Sequence, residues 1–532
     1  MPLHPSSVTR AALRVALALV ATAACGRTEP ASPSEDAAAD GGATATTGTD
    51  AAGGATAGTT ATGGATATAG TTGTGGVTAS GGEAGTPTDS DCTLHVLPYT
   101  GDDTKDGASW DGAVRSLTRA LALAHAGCEV WLASGTYTPT NDSNRDATFT
   151  VPDGVTLRGG FVGTERSPAD RSFAELLPLL SGDIGIQDDS DDDAYHVVTT
   201  LGTATLDHLY LTHGHADSSF GGGAVVAAGA LTIDTCNVYE SLSDNEAGGV
   251  LAHAALTIRN STFSSNGATE RGGAIVADGP GPLVVESSLF EDNSAIEGGA
   301  ISVHPTSGGA SLGVTGSTFR NNVATSPDLR VAEGGAIDFE GTLLDVDTSV
   351  FEQNQATQAG GAINAQGGGA LEIVDSLLVQ NGALDGGAIF DAEADAIELT
   401  NDTISDNSSS YGAVGLRDGS SLVIANSILW HDGQEEIDLY RVNLGDPETL
   451  VSLYSNNLSG TYPNFTSFDP LFVDPAKSNY HLSDGSPCID HGDDTRAPAT
   501  DLDGNARVSE HGPSPSPSSI GISDMGAYEY GY

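Results

Sequence analysis

The sequence predicts an all-β fold, a parallel β-helix solenoid, and three observations carry that prediction. A two-part pattern recurs, in which an apolar residue is followed three positions later by Asn and then by Gly-Gly-Ala and an aliphatic residue, as in Phe263 to Asn266 and Gly272 to Ile275. The spacing is nearly constant, because successive Asn residues of the pattern are 26 to 32 positions apart. Each unit holds only short apolar runs rich in β-branched residues, which leaves no room for a helix. The six Asn residues are Asn266, Asn293, Asn322, Asn354, Asn381 and Asn407.

Each element of the repeat has a physical reason. Strands of three to five residues that cannot form hairpins with one another must pair with the equivalent strand of the next unit, which builds parallel sheets along a coil. The Gly pair suits a corner where backbone dihedrals or close approach of coils exclude a Cβ. The Asn suits a turn, because it tolerates the left-handed region and its amide can bond to the Asn above and below at a strand spacing of about 4.8 Å. Stacked Phe side chains in the core would add about 1 kcal/mol per pair.

The alternation of Phe-x-x-Asn with Gly-Gly-Ala-aliphatic resembles the repeat of the polymorphic outer-membrane protein family and, more broadly, the pectin-lyase-like fold. The resemblance covers about residues 220 to 431. It implies a right-handed coil, which is also the usual hand of parallel crossovers. We therefore expect residues 221–431 to form the repeat β-helix.

The amino terminus reads as an export signal. Residues 1–24 carry Arg10 and Arg14 before a short apolar run, and Thr22 to Cys25 resembles a bacterial lipobox. Cys25 would then be the lipidated first residue of the mature protein. The resemblance also implies the outer membrane, because Gly26 is not the Asp that holds such lipoproteins at the inner membrane. The alternative is an ordinary cleaved signal with a stray Cys. Residues 25–90 are almost entirely Ala, Gly and Thr, so we expect a disordered tether.

Two flanking regions are expected to close the solenoid. In residues 91–220 the apolar spacing predicts a helix over 113–126 with Asp111 as its N-cap, which would cap the first coil. Glu129 to Ala133 would be the first strand. Residues 432–532 would form carboxy-terminal coils and a cap that seals the last coil. Both regions resemble a choice-of-anchor module of secreted β-helix proteins, in which the β-helix is constant and the anchor varies.

The positions of the cysteines allow one disulfide bond within the folded part of the chain. Cys92 and Cys128 flank the predicted capping helix, and an exported chain makes a disulfide between them plausible. The alternative is a pair of buried thiols.

The net charge of the chain limits the classes of molecule that it can bind. With 71 acidic against 19 basic residues the net charge is −52, so nucleic acid and other polyanions would be repelled. Asp501, Asp503 and Asn505 alternate as oxygen ligands of calcium do, although this stretch lacks the Glu that closes a helix-loop-helix calcium loop and is also a good turn. A second acidic cluster is weighed as a calcium site too: Asp188, Asp189, Asp191, Asp192 and Asp193.

The sequence shows no complete catalytic set. Enzymes of the pectin-lyase-like fold imply paired carboxylates with basic partners, and Gly492 to Asp494 and Asn401 to Thr403 are only fragments of such motifs. We predict a secreted, monomeric, lipid-anchored β-helix at the outer membrane or cell surface, which binds glycans or surface proteins as an adhesin-like module without catalysis. A polysaccharide lyase or glycoside hydrolase of the same fold is the alternative, since a carboxylate pair can come from neighbouring coils.

Overall fold

The computed structural model describes most of the chain beyond the expected signal and tether. The described residues are 92–171, 178–219, 221–306, 308–326, 332–391, 396–416, 421–430, 437–438, 450–454, 456–458, 467–507 and 522–531. Cys25 and the whole of 1–91 lie outside these ranges. So do five residues of the segment from Thr325 to Ala332, an insertion that lengthens one repeat unit.

Within the described residues, four parallel sheets run along the molecule and confirm the predicted all-β parallel β-helix. Sheet 1 contains Thr93–Val96, Glu129–Ala133, Val155–Phe161, Ala204–Asp207, Leu231–Asp234, Leu256–Arg259, Leu283–Glu286, Ser311–Thr315, Leu343–Asp347, Ala370–Val374, Ala396–Thr400, Ser421–Ala425 and Leu450–Tyr454. Sheet 2 contains Thr136–Tyr137, Leu179–Ser181, Tyr210–Thr212, Asn237–Tyr239, Thr262–Ser264, Leu289–Glu291, Thr318–Arg320, Val350–Glu352, Leu377–Val379, Thr403–Ser405, Ile428–Trp430 and Asn457–Leu458.

The other two sheets complete each turn of the coil. Sheet 3 contains His215–Ala216, Leu242–Ser243, Gly267–Ala268, Ser294–Ala295, Val323–Ala324 and Gln355–Ala356. Sheet 4 contains Phe149–Val151, Val198–Thr200, Val225–Ala227, Val250–Ala252, Ile275–Ala277, Ile301–Val303, Ile337–Glu340, Ile363–Gln366, Ile389–Asp391, Val414–Leu416 and Ile437–Asp438. From Ala204 to Gln366 the chain visits sheets 1, 2, 3 and 4 in turn, and each strand pairs with its counterpart one coil later. In the later coils single bridges at Gly382 and Ser408 continue sheet 3.

The amino-terminal helix is present but shorter than predicted. It spans Leu117–Leu123, and the Ser116 side chain, not that of Asp111, accepts the capping hydrogen bond from the Arg119 amide. The earlier part of the predicted helix is extended instead, because Val114 bridges to Val96. The buried face of Leu117 and Leu121 joins the main core, so the helix does cap the first coil. That coil begins with Thr93–Val96, one strand before the predicted first strand.

One continuous core runs through the solenoid, from Leu94 to Leu429. At its centre the repeat Phe residues stack almost parallel, with ring centroids 4.9 Å apart for Phe263 and Phe290 and 4.8 Å apart for Phe319 and Phe351. The distance equals the strand spacing, because register-paired side chains repeat at the separation of their strands. Each apolar repeat position therefore packs against its own copies.

The six repeat Asn residues form a buried column. In the first five of them the side-chain amide donates to the Oδ1 of the Asn one coil later, for example Asn322 Nδ2 to Asn354 Oδ1 at 2.9 Å. All six side-chain amides also donate to a main-chain carbonyl one coil earlier, as Asn322 does to Phe290 at 2.9 Å. The left-handed conformation expected at the Asn lies one residue before it, as at Asn321 with φ 54°. The preceding residue, which is less buried than the Asn, makes the turn, because the Asn side chain must point inward to reach its partners.

A second column was not predicted from the sequence. The main-chain N–H of Cys236 donates to Ser261 Oγ, that of Ser261 to Ser288 Oγ, and the pattern continues coil by coil. The column continues through Ser317, Ser349, Ser376, Asp402 and Ser427. It satisfies buried amides at the corner between sheets 1 and 2, which a parallel ladder alone leaves unpaired. Asp402 therefore has a structural corner position.

The two Gly residues of each pair serve different needs. The first, such as Gly334 with φ 65°, needs the left-handed region that glycine adopts at little cost. The second lies against the next coil: a Cβ on Gly335 would stand 2.0 Å from the carbonyl oxygen of Gly361.

Gly335→Ala is therefore expected to lower the free energy of unfolding by about 2–3 kcal/mol or more, as overpacking of a rigid interior does. The matched control is Gly313→Ala, where the added Cβ meets nothing within 4 Å. We expect that control to change stability by less than about 1 kcal/mol. Urea unfolding followed by circular dichroism measures both, and equal effects of the two substitutions would contradict the close-contact explanation.

The carboxy-terminal segment, described over 467–507 and 522–531, packs against the side of the solenoid. Tyr480, Ala527 and Tyr528 cover Leu377 and Val379 of sheet 2. An antiparallel pair, Phe472–Asp474 with Asn479–Leu482, belongs to this segment. The contacts described for it are thus with a lateral face, whereas the sequence predicted a seal on the last coil. The apolar residues of Leu377–Val379 that face outward account for the difference, because they need a cover.

Arg507 fixes this segment to the coil. Its side chain is fully buried and donates to Asp375 of the solenoid at 2.9 Å through Nε, and to the carbonyl of Gly526 at 2.8 Å. It also pairs with Glu529 at 3.5 Å. Burial raises the pKa of Asp375 to about 7 despite this pairing, because few solvent contacts remain and Asp347 and Asp501 lie nearby.

Candidate functional site: the carboxy-terminal cleft

A cleft separates the carboxy-terminal segment from the outer face of sheet 2, and we call it the carboxy-terminal cleft. Its volume is about 510 Å³, within the range of small-molecule sites. Its solenoid side is formed by hydroxyl-bearing corner residues, and its other side by the 500–504 turn and one aromatic ring. The lining residues are Gly316, Ser317, Thr318, Thr348, Val350, Thr500, Asp501, Leu502, Asp503, Gly504 and Tyr528.

The predicted calcium residues Asp501, Asp503 and Asn505 lie at this cleft and are engaged in hydrogen bonds. Asp501 Oδ1 accepts from the main-chain N–H groups of Asp503 and Asn505, at 3.1 and 2.7 Å. Its Oδ2 accepts from the amide of Glu529 and from Asn505 Nδ2. The stretch thus forms a tight turn that also holds the end of the chain. Calcium binding there stays a prediction, and it would require some of these bonds to be exchanged.

Asp503 faces the cleft beside an aromatic pair. Its Oδ2 lies 2.7 Å from His481 Nε2, and the His481 ring stacks on Tyr528 with centroids 3.9 Å apart. Burial raises the pKa of Tyr528, and the charges of Asp503 and Asp501 add to that effect. The phenol therefore stays protonated and remains a hydrogen-bond donor near neutral pH.

The second predicted calcium cluster is spread over an irregular loop. Asp192 Oδ2 accepts from the amide of Ile186, and Asp189 Oδ1 accepts from that of Asp191. Asp193 is buried, and this burial, with the nearby charge of Asp183, raises its pKa to about 7. Among the described residues, the one set of three His, Cys, Asp or Glu side chains at metal-binding separation is Cys92, His125 and Cys128. The structure joins Cys92 to Cys128 in a disulfide.

Asp338 and Glu333 bring two carboxylates close together, but amide groups occupy the space between them. Both accept from the same amide groups, Asn364 Nδ2 and Gln366 Nε2. Burial raises the pKa of Asp338 to about 7, and the charges of Glu297 and Glu333 add to the effect. Asp338 is 2% exposed and the two amides lie between the carboxylates, so a glycosidic oxygen cannot approach both.

Sequence reasoning missed most of the cleft and the whole Asp338 group. Thr348 and Tyr528 are 180 positions apart, and no periodicity connects the carboxy-terminal segment to the coil beside it. For Asp338 a signal was available. It is the residue after the aliphatic position of its Gly-Gly-Ala-Ile motif, and Glu333 is the residue before that motif.

Comparison with known protein families agrees with the repeat. A family described as the Chlamydia polymorphic membrane protein repeat matches residues 260–278 and 348–366. A family described as a protein of unknown function, DUF1565, matches residues 99–168. None of the curated proteins matches this chain.

Three solved structures are distantly similar. A pectate lyase, Pel9A, has 14% identity and a TM-score of 0.42, with 83% of this chain and 97% of its own covered. A rhamnogalacturonan lyase has 14% identity and a TM-score of 0.32, with 74% and 95% covered. A Family 28 exopolygalacturonase of Yersinia enterocolitica has 9% identity and a TM-score of 0.18, with 70% and 79% covered.

The chain is thus a parallel β-helix protein that carries repeats of the polymorphic membrane protein type. These repeats point to a protein of the outer membrane or cell surface. Among the described residues, no helix has both the length and the apolar character that crossing a lipid bilayer requires.

Proposed function

We propose that this chain is a surface-displayed, non-catalytic β-helix that binds neutral glycans through the carboxy-terminal cleft. The observation that carries the proposal is the composition of that cleft, which combines the hydroxyl groups of Thr348 and Thr500 and the carboxylate of Asp503 with the ring of Tyr528. Sugar hydroxyls donate well to a carboxylate, and the apolar face of a sugar packs on an aromatic ring. The net charge of −52 favours neutral over anionic glycans.

Asp503→Ala is expected to weaken glycan binding at least about tenfold, because it removes the ionised acceptor, and a hydrogen bond to a charged group contributes about 1.5–3 kcal/mol. Its side chain is 49% exposed, so the fold should persist. The matched control is Asp345→Ala, an exposed carboxylate on sheet 1. A panel of neutral oligosaccharides identifies a ligand, and calorimetry then gives the affinities. Unchanged binding by Asp503→Ala, or failure of every neutral glycan to bind, would remove the cleft as the site.

The alternative, a polysaccharide lyase or glycoside hydrolase, is tested on the same panel. Reducing ends or unsaturated products released by the purified chain would replace the binding proposal with an enzymatic one. The amide groups between Asp338 and Glu333 weigh against hydrolysis at that position.

We also propose that Cys25 carries the lipid that holds the protein at the outer membrane. Cells grown with a clickable fatty acid should label the wild-type protein, and Cys25→Ser should abolish the label by removing the acylated thiol. The matched control, Cys236→Ser, should keep the label, since it only introduces the residue usual in the buried Ser column. Equal labelling of wild type and Cys25→Ser, or no labelling of wild type, would contradict lipid anchoring.

A further inference from the structure

The outer face of sheet 4 changes character along the solenoid. Its outward side chains are aligned by strand pairing and are apolar at Val226, Leu251 and Val276. The next three in register are Ser302, Asp338 and Asn364, which we call the polar block. The column then becomes apolar again at Phe390. The polar block is therefore a local interruption that spans three consecutive coils.

A row of residues from the turns before sheet 4 covers this face. Arg271, Glu297, Glu333, Ala359 and Asp385 follow one another through parallel bridges, one per coil. Under this cover Ser302 and Asn364 are fully buried and Asp338 is 2% exposed. The polar block thus lies in an environment where unpaired polar atoms are costly.

The polar block and the side chains beside it contain more oxygen atoms than amide N–H groups to bond them. The amides of Asn364 and Gln366 are shared between Asp338 and Glu333, at distances of 2.7 to 3.3 Å. Two other buried oxygens, Ser302 Oγ and Asn364 Oδ1, have no hydrogen-bond partner. Buried polar atoms in proteins are normally paired, so two such oxygens beside a buried carboxylate point to a missing partner.

The charge balance indicates that this partner is a cation. Three glutamates, Glu297, Glu333 and Glu340, add negative charge near Asp338. Two basic side chains lie nearby: the Arg271 guanidinium is divided between Glu297 at 2.7 Å and Glu246 at 2.9 Å, and His304 Nδ1 lies 2.6 Å from Glu340. Burying the ionised carboxylate of Asp338 is costly unless a positive partner lies beside it.

We propose that the polar block binds a calcium ion. Its ligands would be the Asp338 carboxylate, Ser302 Oγ and Asn364 Oδ1, with Glu333 or Glu297 turned inward to complete the oxygen set. Calcium fits because every proposed ligand atom is an oxygen and the ligands are irregularly arranged. Calcium usually binds six to eight oxygen ligands at about 2.3–2.6 Å. Zinc and copper would need nitrogen or sulfur ligands. The ion would join three coils of the solenoid through one centre.

Calorimetric titration of the full mature chain with calcium chloride, after treatment with chelator, tests this proposal. We expect a calcium ion to bind at pH 7.5 and to raise the melting temperature, with weaker binding at pH 5.5 because a proton competes for Asp338. Asp338→Asn should weaken this binding at least about tenfold, and Ser302→Ala should weaken it in the same direction. Ser302→Ala keeps every carboxylate, so its effect separates a lost ligand from a lost charge.

The control is Asp503→Asn, in the turn that the sequence proposed for calcium. If the polar block is the site, this variant binds calcium as wild type does. Calcium binding that is lost in Asp503→Asn but kept in Asp338→Asn would overturn the proposal in favour of the 501–505 turn. Absence of any calcium response from wild type at millimolar calcium and pH 7.5 would overturn it as well.

Discussion

Asn322→Ala is expected to lower the free energy of unfolding by about 4 kcal/mol. The Asn322 side chain makes four hydrogen bonds inside the coil, accepting from the main chain and amide of Asn293 and donating to Phe290 and Asn354. Each buried hydrogen bond contributes about 1 kcal/mol net, and orphaned partners cost more. The side chain is fully buried, so water cannot replace the lost bonds.

The matched control for this prediction is the adjacent Asn321. Its side chain lies outside the column and its φ of 54° suits glycine, so Asn321→Gly should change stability by less than about 1 kcal/mol. Urea unfolding followed by fluorescence and circular dichroism gives both values. A loss below 1 kcal/mol for Asn322→Ala would show that the Asn column is not a main source of stability. Hydrogen exchange should locate the weakened coils between Asn293 and Asn354.

Arg507→Ala is expected to cost about 3–5 kcal/mol and to release the carboxy-terminal segment from sheet 2. Removing one partner of a buried ion pair leaves the other charge buried without compensation. Here the groups left behind are Asp375 and Glu529, whose exposure is 1% and 6%. The matched control is Arg496→Ala, whose ion pair with Asp493 is longer, at 3.8 Å, and partly exposed. An exposed pair contributes about 0–1 kcal/mol.

The effect of Arg507→Ala should depend on pH. Burial raises the pKa of Asp375 to about 7 and that of Glu529 to about 8. A carboxyl group whose pKa is higher in the folded state contributes stability at low pH and loses it as pH rises through the folded pKa. Without the guanidinium these pKa values rise further, so the loss should be larger at pH 8 than at pH 5. Limited proteolysis and denaturant unfolding at both values measure it, and a loss independent of pH would contradict the explanation.

The sequence allowed the repeat to be predicted because each repeat position has one physical environment. Phe263 and its copies, the Asn266 column and the Gly272–Gly273 pair are set by the same backbone path in every coil. Their roles therefore follow from periodicity and side-chain chemistry. The Ser261 column was missed for a simple reason: a small polar residue near a turn is common, and only the buried amides of the corner show what it bonds to.

Two features depended on contacts between distant parts of the chain. The first turn of the helix predicted over 113–126 does not form, because Val114 pairs with Val96. The local spacing of apolar residues does not reveal such a competing strand partner. The left-handed residue lies at Asn321 and not at Asn322, because the buried column requires the second side chain to point inward.

By itself the sequence determined that the chain coils, where each coil repeats and which side chains stack inside it, because a short period forces every unit into the same environment. Only the tertiary structure decided that the carboxy-terminal segment lies along sheet 2 and that Ser302, Asp338 and Asn364 share one covered face. The physical reason is that these arrangements arise from packing between distant segments of the chain. The distance between two segments along the sequence does not predict which of their surfaces will be buried against each other. Their chemistry emerges only when burial brings charges and unpaired oxygens together.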